Sequence, residues 1–543
     1  MELDRRVCDR ARRSRDARFD GKFFIAVTTT RIYCRPICPA RSPKDENIRY
    51  YATAAAAQAA GFRPCLRCRP EASPGTPAWF GTSSVVSRGL RLINDGALDR
   101  DGVDALADRL GVTARHLRRL FLTHLGATPI DVALTRRVHF AKKLIDETRL
   151  PLSQVAFAAG FGSQRRFNGQ IQRVYSRTPT ALRKLARKQV DDSGRYQFRL
   201  AYRPPYDWNA LLAFLAARAI PGVEWIDDDR YHRTIAIDGK TGSFSVAKAA
   251  DDAPALILDV QFGDSQALLA IVERVRRMFD VAADPSVIAE QLSSDVLLKR
   301  ACAAHPGIRT PGAWDPFELT VRAILGQQIS VAAATTIAGR VAARWGTPID
   351  HAKGLTHLFP TPAQMANAPL EEAGIISARA NTLRSVARAI GGGSLVFDGV
   401  STGEALRSIP GIGDWTAQYV LMRALNEPDA FPSGDLVLKR MAGGCTAPVL
   451  ERRSEAWRPW RAYAVMLLWQ SARDEAKRNT IITGRGAAVR TKIVACESRS
   501  SAVLVSEKAR SSASWPTCTT TDRTGKARRA CGTRASSRTS PTA

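Results

Sequence analysis

Leu406-Arg407-Ser408-Ile409-Pro410-Gly411-Ile412-Gly413-Asp414-Trp415-Thr416-Ala417 is the stretch on which the fold of this chain turns. Gly411-Ile412-Gly413 opening a helix leaves bare backbone N–H groups at the positive end of the helix dipole, a place that can hold a phosphate. This is the helix-hairpin-helix pattern. Alone it marks sequence-independent DNA binding, and many non-enzymes carry it. About twenty residues further on, Phe431-Pro432-Ser433-Gly434-Asp435-Leu436-Val437-Leu438-Lys439 supplies an acid, Asp435. A helix cap or a surface acid would look the same.

The wider context resembles one family closely. The glycines followed by Asp435 resemble the helix-hairpin-helix–GPD base-excision glycosylases. Pro205-Tyr206-Asp207-Trp208, Arg322-Ala323-Ile324-Leu325-Gly326-Gln327-Gln328-Ile329-Ser330 and Trp457-Arg458-Pro459-Trp460-Arg461-Ala462-Tyr463 are similar to AlkA-type 3-methyladenine DNA glycosylase II. The resemblance implies an α+β domain over residues 196–300 and a helical glycosylase domain over 301–470. It implies Asp435 as the anion that stabilises a cationic sugar or orients water. Trp415, Tyr419 and Trp469 would line the base pocket, where electron-rich faces favour a cationic base. Gln328 would be the wedge that fills the emptied helix, and Gly411 and Gly413 would bind DNA. Relatives that also cut the strand carry a Schiff-base lysine two residues after the second glycine. Trp415 stands there, so a monofunctional glycosylase is expected.

Upstream, Val103, Leu106, Ala107 and Leu110 fall on one helix face, Gly111-Val112-Thr113 makes a turn, and Thr113 is placed to cap the next helix. That helix turns Leu117, Leu120 and Phe121 inward and Ala114, Arg115, Arg118 and Arg119 outward. The pattern recurs: Val155, Ala156 and Ala159 precede Gly160-Phe161-Gly162, and a Ser163-capped helix carries Gln164, Arg165, Arg166 and Asn168 outward. Two such hairpins over 82–186, joined through an Arg136–Leu144 helix, resemble the AraC-type DNA-binding domain. The resemblance implies that Arg115, Arg118, Arg119, Gln164, Arg165 and Arg166 face the major groove.

Four of the ten cysteines form two pairs, Cys34-Arg-Pro-Ile-Cys38 and Cys65-Leu-Arg-Cys68. Such pairs, separated by a loop, can converge on one tetrahedral Zn²⁺. A four-thiolate site is usually structural. Thr28–Arg41 and Gly61–Cys68 resemble the amino-terminal domain of Ada-type adaptive-response regulators, here over residues 1–78. In that family the first cysteine accepts a methyl group from a DNA methylphosphotriester, which implies Cys34 as acceptor and Cys34, Cys38, Cys65 and Cys68 as zinc ligands. Arg35, Arg41, Arg63, Arg67 and Arg69 are candidate phosphate contacts. The Pro-Cys-His-Arg tetrapeptide of a second methyltransferase domain does not occur.

Composition agrees. At roughly 150 residues per domain, 543 residues call for three or four. A formal charge of +29 points to a polyanion, most often nucleic acid. No apolar run reaches the ~18 residues of a membrane span, and the charged start has no secretory signal. Residues 471–543, with fifteen Lys/Arg against five Asp/Glu, read as a disordered tail, either a basic arm or the product of a shifted reading frame. The expected fold is multidomain and mostly α, with a small zinc-binding α+β domain and an α+β domain ahead of the glycosylase helices. The expected protein is a cytoplasmic, nucleoid-associated monomer. It repairs alkylated double-stranded DNA, activates promoters through RNA polymerase, and needs Zn²⁺. The alternative is a DNA-binding regulator with an inactive glycosylase half.

Overall fold

The structure, a computed structural model, describes residues 3–74, 84–186, 195–251, 253–350, 354–399 and 401–478. Met1–Asp474 forms one compact unit, and Glu475–Ala543 a second, of which residues 475–478 are described.

The first module is a four-stranded sheet in the order β3-β1-β2-β4, from β1 (Phe24–Val27), β2 (Ile32–Cys34), β3 (Ile48–Tyr51) and β4 (Arg63–Pro64). Every residue of β1 is buried because strands flank it on both sides. β2 and β4 run parallel, with Tyr33 opposite Pro64, so Cys34 and Cys65 emerge side by side. The helix Ala54–Ala59 begins at Thr53, whose hydroxyl accepts from the Ala56 amide.

The second module is helical, as the apolar periodicity predicts. Ala114–Leu125 is capped by Thr113 and stopped by Gly126 at φ +69°. Gln164–Tyr175 is capped by Ser163. The expected Arg136–Leu144 helix is the middle of a longer one, Pro129–Glu147, started by a Thr128/Asp131 capping box with Pro129 at its first position.

The third module is a five-stranded antiparallel sheet in the order β5-β9-β8-β7-β6, from β5 (Arg195–Ala201), β6 (Glu224–Asp227), β7 (Arg230–Ile237), β8 (Lys240–Lys248) and β9 (Ala255–Phe262). β5 alternates exposed and buried, as its sequence does. From Pro316 to Arg478 the described residues form helices joined by turns, with isolated bridges at Pro348, Leu355 and His357.

Two expected boundaries shift. The 300/301 boundary falls inside the helix Val296–Ala304, whose Leu298 and Ala301 belong to one core with Trp457 and Leu467. The helix that starts at 461 continues to 478 instead of giving way to a tail at 471, with Ala472 buried and Gln470 bonded to Asp474 one turn on. The rest of the expected tail, 479–543, lies outside the described residues.

Candidate functional site

The hairpin is built as its glycines require. Gly411 has φ +90°, and a Cβ there would sit 2.2 Å from Thr382 Oγ1. Gly413 is the exposed N-cap of the helix Asp414–Ala424, with open space where a side chain would be. That helix places Trp415 and Tyr419 one turn apart, their rings stacked at 5.2 Å and 9°. Trp469, from the 461–478 helix, lies 6.2 Å from Tyr419.

Asp435 joins these rings. It caps the helix Leu436–Met441, its Oδ1 accepting from the Val437 and Leu438 amides at 2.9 and 3.0 Å. Trp415 Nε1 donates to Oδ2 at 3.0 Å, and Trp469 Nε1 to Oδ1 at 3.2 Å. The cap and the pocket carboxylate are therefore the same group. Half-buried among half-buried aromatics, Asp435 is where a developing positive charge would be met.

Three residues against these rings were not foreseen. Phe214, from the helix Trp208–Ala216, stacks on Trp469 at 6.3 Å and 16°. The Arg218 guanidinium lies 3.7 Å from the Phe214 ring centre, and Arg423 Nη1 donates to the Tyr419 hydroxyl at 2.8 Å. For Phe214 and Arg218 the nearest signal was the apolar run after Trp208, which by itself announces only a packed helix, and Arg423 had none.

Gln328 is exposed and left-handed, φ +59°, between the helices Pro316–Leu325 and Val331–Trp345. Its neighbour Gln327 donates to Gly411 O and Thr416 Oγ1, both at 3.1 Å, and so ties the loop to the hairpin. Exposed Ile329 and Val331 flank it. On the two capped helices, Arg115, Arg118, Arg119, Gln164, Arg165 and Arg166 all face solvent.

The four cysteines converge: their sulfurs lie within 4.8 Å of one another. A tetrahedral ion with ~2.3 Å bonds sets sulfurs about 3.8 Å apart, so the cluster fits one. The Cys65 amide bonds Tyr33 O at 3.0 Å, and the Arg35 amide reaches Cys68 Sγ at 3.4 Å. The Cys34 pKa is raised by its hydrogen bonds to Cys38 and Cys65, while the bond with Cys34 brings Cys38 down to about 7. Four sulfurs held this close compete for their protons, a crowding that a bound cation would relieve. Cys34 and Cys38 are half-exposed, whereas Cys65 and Cys68 are buried. Two candidate phosphate contacts are otherwise engaged. Arg35 pairs with Asp20 and donates to Cys68 O, and Arg69 pairs with Asp146 and Glu147. Arg41 and Arg67 are exposed and Arg63 half-exposed. No helix of the described residues is long and apolar enough to cross a membrane.

Four family models match the chain: the metal binding domain of Ada over 7–71, a helix-turn-helix domain over 106–185, the AlkA N-terminal domain over 197–315, and the HhH-GPD superfamily base excision DNA repair protein over 321–448. The chain is similar to the probable bifunctional transcriptional activator/DNA repair enzyme AlkA of Mycobacterium tuberculosis, with 42% identity over 482 residues, 86% of this chain and 97% of that one. It is 35% identical to DNA-3-methyladenine glycosylase 2 of Escherichia coli over 281 residues, 50% of this chain and 96% of that one. Over 116 residues, 21% of this chain and 31% of the other, it is 41% identical to the bifunctional transcriptional activator/DNA repair enzyme Ada of Escherichia coli.

Proposed function

The chain belongs to the family of bifunctional AlkA/Ada-type transcriptional activators and DNA repair enzymes, and we propose that it excises alkylated purines without cutting the strand while sensing methylated phosphates through Cys34. The observation that carries the first activity is Asp435 accepting both indole N–H groups of a ring-lined site. Alkylation at N3 or N7 gives a purine a positive charge and makes it a good leaving group. The base is extruded and held against Trp415, Tyr419 and Trp469. As the bond to the base breaks, its electron pair leaves with the base and positive charge grows on the sugar. Asp435 stabilises that charge, and water completes the sugar. The helix carries Trp415 where a lyase needs an amine, so no imine forms and an abasic site is the product.

At the front, Cys34, Cys38, Cys65 and Cys68 would hold Zn²⁺, which when bound keeps the sulfurs ionised at neutral pH. The Cys34 sulfur attacks the methyl carbon of a neutral phosphotriester. The carbon–oxygen bond breaks, its electrons stay on the phosphate oxygen, and Cys34 becomes a thioether. The site loses one negative charge, so its repulsion from DNA falls and the helix-turn-helix domains bind more tightly. We assign contact with RNA polymerase, a monomeric state and a nucleoid location to this same reading.

The test is base release from methylated DNA, with Asp435→Asn beside the wild type. Release by the wild type alone supports the enzyme; equal silence from both leaves a regulator with an inactive glycosylase half. In parallel, radiolabelled methylphosphotriester DNA should label the wild type and not Cys34→Ser.

A further inference from the structure

We infer that a cavity at the meeting of all four modules is a binding site for a small organic acid, an apolar body carrying one carboxylate. Neither base excision nor methyl transfer uses this space.

The cavity holds about 310 Å³, at the lower end of the range for small-molecule sites, and such sites favour the seams between domains. Phe24 reaches it from the first module, Ser87, Arg91 and His139 from the second, Val272 from the third and Trp460 from the glycosylase module. With Leu90, Leu125 and Phe140, these rings and aliphatic chains give it apolar walls.

Its polar lining is short of acceptors, because the carboxylates are already engaged. Glu71 pairs with Arg69, Glu273 with Arg276 and Asp284 with Lys22. Glu427 faces Arg88 at 3.8 Å, and Asp280 accepts from the Tyr463 hydroxyl and the Thr310 amide. Other lining cations have partners too: Arg136 in Asp99, Arg277 in Asp95 and Lys143 in Glu147. Arg91 differs. Among the described residues it has no ion-pair partner, and it donates only to the backbone oxygens of Leu425 and Asp398.

Two neutral donors are unmet as well. The hydroxyl of Ser87, a residue 9% exposed, has no hydrogen-bond partner. His139 Nε2 accepts from Tyr33 and Gln58, so the neutral ring carries its proton on Nδ1, where no described residue accepts it. A guanidinium without a counter-charge and two donors without acceptors, set among apolar walls, call for an anionic acceptor on an apolar body. A carboxylate supplies the lone pairs and the single charge, whereas an amine would set donor against donor and a phosphate dianion would bring one charge too many.

Isothermal titration of the full-length protein with 1-naphthoate tests the site. The uncharged 1-naphthamide serves as a body of the same shape, in salt high enough to screen exposed cations. One naphthoate should bind per chain, and naphthamide should bind more weakly by on the order of tenfold. Ser87→Ala should weaken naphthoate by about fivefold. Arg91→Met should bring the two probes to equal affinity. Ser87→Phe, which puts a ring into the space, should abolish binding of both, and saturating naphthoate should raise the melting temperature of the wild type but not of this variant. Ser87→Ala removes a single oxygen, so it decides the matter even if a larger substitution disturbs the junction. The absence of a saturable one-to-one phase, equal affinity of the two probes for the wild type, or wild-type affinity in Ser87→Ala overturns the site.

Discussion

Asp435 caps a helix through Oδ1 and is the carboxylate of the proposed chemistry, and substitutions can separate the two roles. Asparagine caps helices about as well as aspartate but turns an amide N–H toward Trp415 Nε1 in place of Oδ2, so Asp435→Asn should cost about 1 kcal/mol of thermal stability while base release falls by on the order of a hundredfold or more. Asp435→Ala should lose the same activity and, in addition, about 1 kcal/mol of stability, measured by denaturant unfolding. Equal stability of the two variants would mean that the cap contributes nothing. Gln328 invites the opposite experiment. Its left-handed backbone costs a residue with a side chain roughly 1–2 kcal/mol, a strain glycine escapes at about 0.5–1 kcal/mol of extra chain entropy. Gln328→Gly should therefore be as stable as wild type or slightly more so. Excision from duplex DNA should nevertheless drop, because nothing remains to fill the emptied stack. A loss of both stability and excision would mark Gln328 as a packing residue.

At the scale of elements, the helix Pro129–Glu147 does more than join the two DNA-binding hairpins. Its His139 is half-buried, with Tyr33 and Gln58 of the four-cysteine module both hydrogen-bonded to Nε2 at 3.0 Å. Gln58 also donates to the Tyr33 hydroxyl, so Nε2 is an acceptor and the ring is neutral. Burial brings the His139 pKa down from 6.5 to about 4. Between those values the unfolded chain takes up a proton that the folded chain refuses, so stability falls as pH drops from about 6.5 to 4, by about 3 kcal/mol. Asp280, raised by burial to about 6, titrates with the opposite sign, since its contribution is lost as pH rises through that value. The diagnostic quantity is thus the difference between wild type and His139→Gln in urea melts at pH 4 and pH 7. Parallel curves would refute the assignment. None of this network was legible in the sequence, whereas the Thr113 and Ser163 caps, the cysteine pairs and the hairpin turn were. Caps and turns are written within four residues of where they act. Which carboxylate an arginine meets depends on topology, and so Arg35 and Arg69 looked like DNA contacts yet pair with Asp20 and Asp146.

Across the whole molecule, four modules follow one another in the sequence, but their cores do not stay separate. Phe140, from the helix between the DNA-binding hairpins, is 6% exposed and lies 6.1 Å from Phe198 on β5, within one apolar cluster that runs from Val138 to Trp314. Lys143 reaches the backbone oxygen of Arg199, and Arg91 donates to the backbone oxygens of Leu425 and Asp398, on either side of the hairpin and its helix. The distance along the chain between such partners, more than three hundred residues for Arg91, explains why no local pattern foretold them, and the same holds for Phe214 against Trp469. Domains joined by a large apolar contact unfold together, whereas those joined by a linker unfold apart. Calorimetry of the wild-type protein should therefore show the helix-turn-helix and α+β modules melting in one transition. Phe140→Ala removes the ring at that junction and should cost about 3–5 kcal/mol. Because the loss falls on the contact between modules, the transition should split in two, with the α+β and glycosylase peak close to its original temperature. A single peak displaced as a whole would mean that Phe140 stabilises its own module only, and that the regulatory and repair halves are coupled by the arginine contacts instead; Arg91→Met would then be the variant that divides the transition.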